Sequence, residues 1–172
     1  MAKFLKAVTL VFKNEGGLSE DPDDAGGISN FGVSYRFYKK KVKVDATPEN
    51  IKNLTAEEAS NIYERFFWNR GQYERIDDQK IADRLLDLAV NCGLTTANGF
   101  IQKAINAMQR KDVLVVDGYL GPKSFDAINS SKPDMLYNYL LQQANAYYHE
   151  IAEHGNNHKY LNGWIRRLND TC

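Results

Sequence analysis

Cysteine is almost missing from this chain: its 172 residues contain two, Cys92 and Cys172. Two thiols, one of them the last residue, make neither a disulfide framework nor a zinc site. They read as one buried core thiol and one exposed terminal thiol. Proline is scarce too, at four residues, and no low-complexity linker or internal repeat divides the chain. Net charge is nil, with 22 basic residues against 22 acidic ones. A neutral chain lacks the broad positive field of a non-specific nucleic-acid binder, so no nucleic-acid partner is expected. No run of about eighteen apolar residues occurs, which excludes a transmembrane helix from the expectations. Lys3, Lys6 and Lys13 are scattered through the apolar N-terminus, which has no small-residue cleavage site. It does not read as a secretory signal, so synthesis in the cytoplasm is expected.

The usual nucleophile and phosphate motifs are also lacking. There is no G-x-S-x-G elbow, no G-x-x-x-x-G-K-[ST] loop and no H-E-x-x-H pair. His149, His154 and His158 lie close in sequence, but their spacing puts them on different helix faces and favours a solvated helix end over a metal site. No metal and no cofactor are expected.

What is present is a helical pattern, in a composition that is 43% hydrophobic and 26% charged, ordinary for a globular protein with one sizeable core or two small lobes. Phe4, Val8 and Val11 repeat at helical spacing and predict a helix over residues 3–14, with Gly16 and Gly17 as its left-handed stop. Thr55 and Glu58 have the spacing of a capping box, with Leu54 and Ala59 as the staple, and Ala59, Ile62, Tyr63 and Phe66 form the inner face of the helix that follows. Asp77 or Asp78 starts a helix carrying Ile81, Leu85, Ala89 and Cys92, stopped by Gly93. Another starts at Thr95 or Thr96. Asp87 and Asn91, one turn apart on an apolar helix, fit either satisfied core positions or the border of a cleft. Val113–Val116 is a short β-branched run before the turn dipeptide Asp117-Gly118. Pro122 opens a short helix, a long helix runs over 133–153 to a break at Gly155 and Asn156-Asn157, and a last helix over 160–168 holds Trp164. The expectation is a mostly α fold with at most a β-ribbon.

One stretch has chemistry as well as pattern. Residues 15–32, EGGLSEDPDDAGGISNFG, hold five glycines and five carboxylates. Glu15 continues the apolar face of the first helix and lies at its negative end. Both circumstances disfavour an ionised carboxyl, and a protonated carboxyl is what a general acid requires. Asp21, Asp23 and Asp24 follow on a loop that can fold back over that helix end. A neutral acid and an ionised carboxylate are the pair that glycoside hydrolysis uses. A calcium loop fits less well, because Asp21-Pro22-Asp23-Asp24 lacks alternating ligand spacing and a terminal Glu. Phe31, Tyr35, Phe37 and Tyr38, with Lys39-Lys40-Lys41, can line a sugar groove or form a solvated basic helix end.

EGGLSEDPDDAGGISNFGVS resembles the EGGYxxDPxDxGGxTNYGI signature of the glycoside hydrolase family 108 N-acetylmuramidases, a lysozyme-like family common in prophages and bacterial genomes. LTAEEASNIYERFFW and ADRLLDLAVNCG are similar to the family's later segments. VDGYLGPKSFDAI and YLNGWIRRL resemble the peptidoglycan-binding type 3 region that usually follows. The resemblance implies a muramidase region over residues 1–93 and a peptidoglycan-binding-like helical region over 94–172 packed against it. It also implies a lysozyme-like helical fold and cleavage of the β-1,4 bond between N-acetylmuramic acid and N-acetylglucosamine. Glu15 takes the place of the catalytic acid, Asp24 that of the acidic residue some nine positions on, and Ser29 that of a threonine. Asp21, Asn30, Tyr35, Asn91 and Trp164 are the candidate glycan contacts. Leu18 and Ala25 depart from the signature's aromatic and proline. The expected partner is the glycan strand of peptidoglycan, met by a monomer acting as a bacteriolytic endolysin. A holin or a dedicated secretion system would deliver it. A lytic transglycosylase and a non-catalytic wall-binding or secretion-assisting protein are the alternatives.

Overall fold

The computed structural model describes residues 1–20, 27–154 and 157–170. Helix α1 spans Phe4–Asn14 and buries Ala7, Val8, Leu10 and Val11, while Phe4 meets Trp68 edge-on with ring centroids 5.8 Å apart. Its end differs from expectation. Glu15 leaves the helix in extended backbone (φ −86°, ψ 134°) while its N–H still donates to the Val11 carbonyl at 2.8 Å. Neither Gly16 nor Gly17 adopts a positive φ. The chain has already turned away at Glu15, so no left-handed cap is formed.

The ribbon is at the other end of the glycine-rich stretch. Strands β1 (Ser29–Asn30) and β2 (Val33–Ser34) pair antiparallel, Ser29 opposite Ser34 and Asn30 opposite Val33. Their two-residue turn, Phe31-Gly32, has φ values of 49° and 76°. Two positive values in succession make the turn that matches strand twist. Ser19 also exchanges backbone hydrogen bonds with Ser29 at 2.8 and 2.9 Å, holding the start of the loop to the ribbon.

Helices α2 (Tyr35–Lys41), α3 (Pro48–Lys52) and α4 (Ala56–Tyr63) follow. The start of α4 is as expected: Glu58 N–H donates to Thr55 Oγ1 at 3.2 Å, and Thr55 N–H donates to Glu58 Oε2 at 2.8 Å. Leu54 and Ala59 are both buried beside it. The helical period does not run on unchanged through Phe66. Glu64–Trp68 widens into a π-helical turn before the short α5 (Asn69–Gly71). The extra residue in that turn sends Trp68 into the core and leaves Phe66 and Phe67 against Phe37.

Helices α6 (Gln79–Cys92) and α7 (Leu94–Gln109) meet at Gly93, whose φ is 90°. Asp78, rather than Asp77, caps α6 by accepting the Ile81 N–H at 3.0 Å. Asp77 instead receives the N-terminal ammonium at 3.3 Å. The Val113–Val116 run is not a strand. One side chain, Asn106, accepts the Val113 and Leu114 N–H groups and donates to the Leu114 carbonyl, doing the work of a neighbouring strand. Then come α8 (Pro122–Ser130), α9 (Pro133–Ala152) and α10 (Leu161–Asn169). Gly155 and Asn156 of the expected break lie outside the described residues, as does Cys172.

The layers pack α1 on α6, α6 on α7, α7 on α9, and α9 on α10. A single hydrophobic cluster extends from Val8 through Leu85, Ile101 and Leu140 to Leu168, so both halves of the chain share one core. No helix among the described residues is long and apolar enough to cross a membrane. The architecture is mostly α with one short ribbon, the lysozyme-like class expected.

Candidate active site

Glu15 is placed by three elements. Helix α1 brings it to the helix end, and the β1–β2 turn lies directly beneath its side chain. A Cβ built on Gly32 would overlap the Oε2, Cδ and Cγ atoms of Glu15. That turn is itself anchored: Tyr63, from α4, donates its hydroxyl to the Phe31 carbonyl at 2.5 Å. Burial, and then the Glu15 carboxylate, push the Tyr63 hydroxyl far above its ordinary value, so it remains a donor. The third element is α10, 152 positions later in the chain, from which Arg167 Nη1 donates to Glu15 Oε1 at 2.7 Å.

Arg167 is held in turn by α6. Its Nε and Nη2 contact Asp87 Oδ1 at 3.0 and 2.8 Å. Asp87 also accepts from Arg84 Nη1 at 3.1 Å and from Asn14 Nδ2 at 2.9 Å. Arg84 has no exposed side-chain surface. It donates to the Tyr137 hydroxyl and to the backbone carbonyls of Arg167 and Asp170. Two carboxyl groups thus face two guanidiniums in a row that runs from fully buried Arg84 and Asp87 to partly exposed Arg167 and Glu15, and its buried charges are paired as the rule for burying ions requires. Burial opposes the charge on Arg167, but Asp87 first and Glu15 second more than offset it and hold its pKa above the ordinary value. Glu15 keeps 17% of its side-chain surface open, enough to meet a substrate.

The other expected site residues fall into three groups. Ser29 shares the ribbon that underlies Glu15 and is half-buried. Asn30 is buried and donates its amide to the carbonyls of Ile51, Lys52 and Leu54 at 3.1–3.4 Å, tying the ribbon to α3. Tyr35 likewise donates to the Ala46 carbonyl at 3.0 Å. Asn91 and Trp164 meet on Tyr148: Asn91 Nδ2 donates to its hydroxyl at 2.6 Å, and Trp164 stacks on its ring at 5.4 Å and 21°. Asp21 and Asp24, with Asp23, lie outside the described residues. A cleft of about 360 Å³ beside α2 is lined by Phe37, Lys41, Phe66, Phe67 and Arg70; of the four aromatics Phe31, Tyr35, Phe37 and Tyr38, Phe37 alone lines it. Cys92 is the core thiol expected: it contacts the Leu88 carbonyl at 2.9 Å, and burial pushes its pKa up to about 12. No group of three or more His, Cys, Asp or Glu among the described residues is placed to hold a metal.

Sequence reasoning missed Arg167, Gly32 and Tyr63 as parts of this site, and left Asp87 without a role. The Arg166-Arg167 pair in the last turn of α10 carried no signal linking it to a residue near the N-terminus. Gly32 had one, because the glycine that ends Asn30-Phe31-Gly32 is suited to the positive φ of a tight turn.

The site is thus a partly open carboxyl at a helix end, in a mostly α scaffold with a short ribbon. Residues 8–93 match the family model described as Glycosyl hydrolase 108, and residues 96–169 match one described as Predicted Peptidoglycan domain. The chain belongs to glycosyl hydrolase family 108 and carries a predicted peptidoglycan domain. The structure of Brucella abortus SagA is similar, with a TM-score of 0.81 and 25% identity over 96% of this chain and 88% of that chain. No curated protein matches the chain.

Proposed function

We propose that this glycosyl hydrolase cleaves the β-1,4 bond between N-acetylmuramic acid and N-acetylglucosamine in peptidoglycan, with Glu15 donating the proton to the leaving oxygen. The observation that carries this reading is the placement of Glu15. Its carboxyl is held at Oε1 by Arg167, lies over the bare Cα of Gly32 and keeps an open edge. Asp24 is the favoured counter-carboxylate, with Asp21 and Asp23 as substitutes, and Ser29 orients water or substrate from the ribbon. The Trp164 ring, with Tyr160 at 5.9 Å beyond it, offers a sugar-stacking face on α10. Asn91 supports that face through Tyr148. Asn30 and Tyr35 act on the glycan indirectly, by fixing the ribbon and α2. In this reading the protein works as a monomeric bacteriolytic endolysin that reaches the wall through a holin or a secretion system.

The test is Glu15→Gln assayed on purified cell walls, with mass spectrometry of the released fragments. Hydrolysis adds one water to each product, and the variant is expected to release none. Folded Glu15→Gln clearing walls at the wild-type rate overturns the assignment. Anhydro-sugar ends would make the enzyme a lytic transglycosylase instead. Wall binding by the wild type with no new reducing ends would make it a non-catalytic wall binder.

A further inference from the structure

We propose that Arg167 is a positioning residue for the reaction, and that it decides which oxygen of Glu15 carries the proton. The inference rests on the reading of Glu15 as the acid. It also makes α10, a helix of the predicted peptidoglycan domain, part of the catalytic centre.

The geometry is a relay of fixed groups. Arg84, fully buried, braces Asp87 and the backbone of α10 at the Arg167 and Asp170 carbonyls. Asp87 takes the Nε and Nη2 edge of Arg167. That leaves Nη1 free to donate to Glu15 Oε1 at 2.7 Å. A guanidinium is planar, so fixing one edge on Asp87 fixes the direction of the third nitrogen. A lysine ammonium cannot reproduce this, because a single nitrogen cannot contact both carboxyls with the same two orientations.

The chemistry then distinguishes the two oxygens. A guanidinium nitrogen offers only donors and does not release its protons. The oxygen it faces must therefore be an acceptor in both protonation states of Glu15. When the carboxyl is neutral, Oε1 is the carbonyl oxygen and the proton resides on Oε2. Oε2 is the atom that lies over Gly32. The absence of a side chain at Gly32 makes room for Oε2 there. During the reaction the Oε2–H bond breaks, its proton passes to the glycosidic oxygen, and the electron pair stays on Glu15. The carboxylate that results is already paired with Arg167.

The experiment measures kcat and KM on soluble peptidoglycan fragments for wild type, Arg167→Met, Arg167→Lys and Leu168→Ala, with thermal unfolding of each. Glu15→Gln is run alongside. Arg167→Met is expected to lower kcat by about 10²-fold with KM within about twofold, the loss typical of a misaimed catalytic group. Arg167→Lys, which keeps the charge, is expected to recover less than about tenfold of that loss, because the fork geometry is gone. Leu168→Ala removes a buried α10 side chain outside the row. It is expected to lower the melting temperature while leaving kcat within about threefold, measured where it is folded. Arg167→Ala is measured as well, with and without guanidinium ion at millimolar concentration, which is expected to restore part of its activity.

Arg167→Met that is folded and keeps wild-type kcat overturns the proposal. So does Leu168→Ala losing as much kcat as Arg167→Met, since α10 would then act only through stability. If Arg167→Met does not fold, folded Arg167→Lys decides, and wild-type kcat in that variant overturns the proposal. An active Glu15→Gln defeats the underlying reading. An inactive Glu15→Gln beside a fully active Arg167→Met defeats the positioning role alone.

Discussion

Glu15 lies against the bare Cα of Gly32, so closely that a Cβ there would overlap its Oε2, Cδ and Cγ atoms. The glycine is required twice at this position, since its φ of 76° is also one that other residues adopt at a cost. In Gly32→Ala the left-handed backbone alone costs about 1–2 kcal/mol, and the methyl group displaces the carboxyl. The expected result is a melting temperature lower by several degrees and a fall in kcat of about 10²-fold. Thermal unfolding and wall-clearing kinetics check both. Wild-type kcat in folded Gly32→Ala would mean the carboxyl does not use this edge.

Asp87 is the centre of the charge row, with only 1% of its side chain exposed and a guanidinium on either side. Asp87→Asn removes the carboxylate that Arg84 and Arg167 share and leaves Glu15 paired with Arg167 alone. Breaking such a pair costs about 3–5 kcal/mol, which for a chain of this size lowers the melting temperature by roughly 10 °C. Denaturant unfolding should show the same loss. A stability change near zero would show that water enters the row and screens it.

Cys92 supplies a pH prediction. Burial, with Asp87 also raising and Arg167 opposing, lifts its pKa from 9.0 to about 12. The folded protein therefore holds the thiol proton where the unfolded chain has lost it. This contribution to stability is fully present below pH 9 and is lost as pH rises toward 12. Buried Tyr63, Tyr73 and Tyr148, also raised mainly by burial, act in the same direction at the alkaline end. Urea unfolding in a pH series is expected to show stability falling across this window, less steeply in Cys92→Ala. In a Cys172→Ser background, thiol labelling of the native protein at pH 8 should be far slower than labelling in denaturant.

Trp164 tests the sugar-stacking face. Its ring lies on Tyr148, which Asn91 steadies from α6. Trp164→Ala is expected to raise KM on soluble glycan fragments by about threefold to tenfold, the range of one aromatic contact, with kcat little changed. A fall in kcat at constant KM would place the ring in the alignment of Glu15 instead of in binding.

Much of the fold was legible because its signals are local. The stripe of Phe4, Val8 and Val11, the Thr55–Glu58 box and the Gly93 stop each depend on residues within a few positions of one another. The elements that departed from expectation depend on distant partners. The π-helical turn at Glu64–Trp68 is settled by where Trp68, Phe66 and Phe67 find room among α1 and α2. The Val113–Val116 run has the composition of a strand, yet Asn106 takes its backbone groups. No propensity within the run encodes that.

By itself, the sequence determined that the chain is mostly helical, that Glu15 ends the first helix, and that a glycine-rich acidic loop follows. Helix periodicity and turn chemistry are short-range, so they can be read in one dimension. Only the tertiary structure decided what faces that glutamate. An arginine 152 positions away, aimed by Asp87, reaches one oxygen, and a glycine without a side chain makes room for the other. Both facts come from how α6, α10 and the ribbon converge, because the direction of a charge and the space beside a carboxyl exist only once the core is packed.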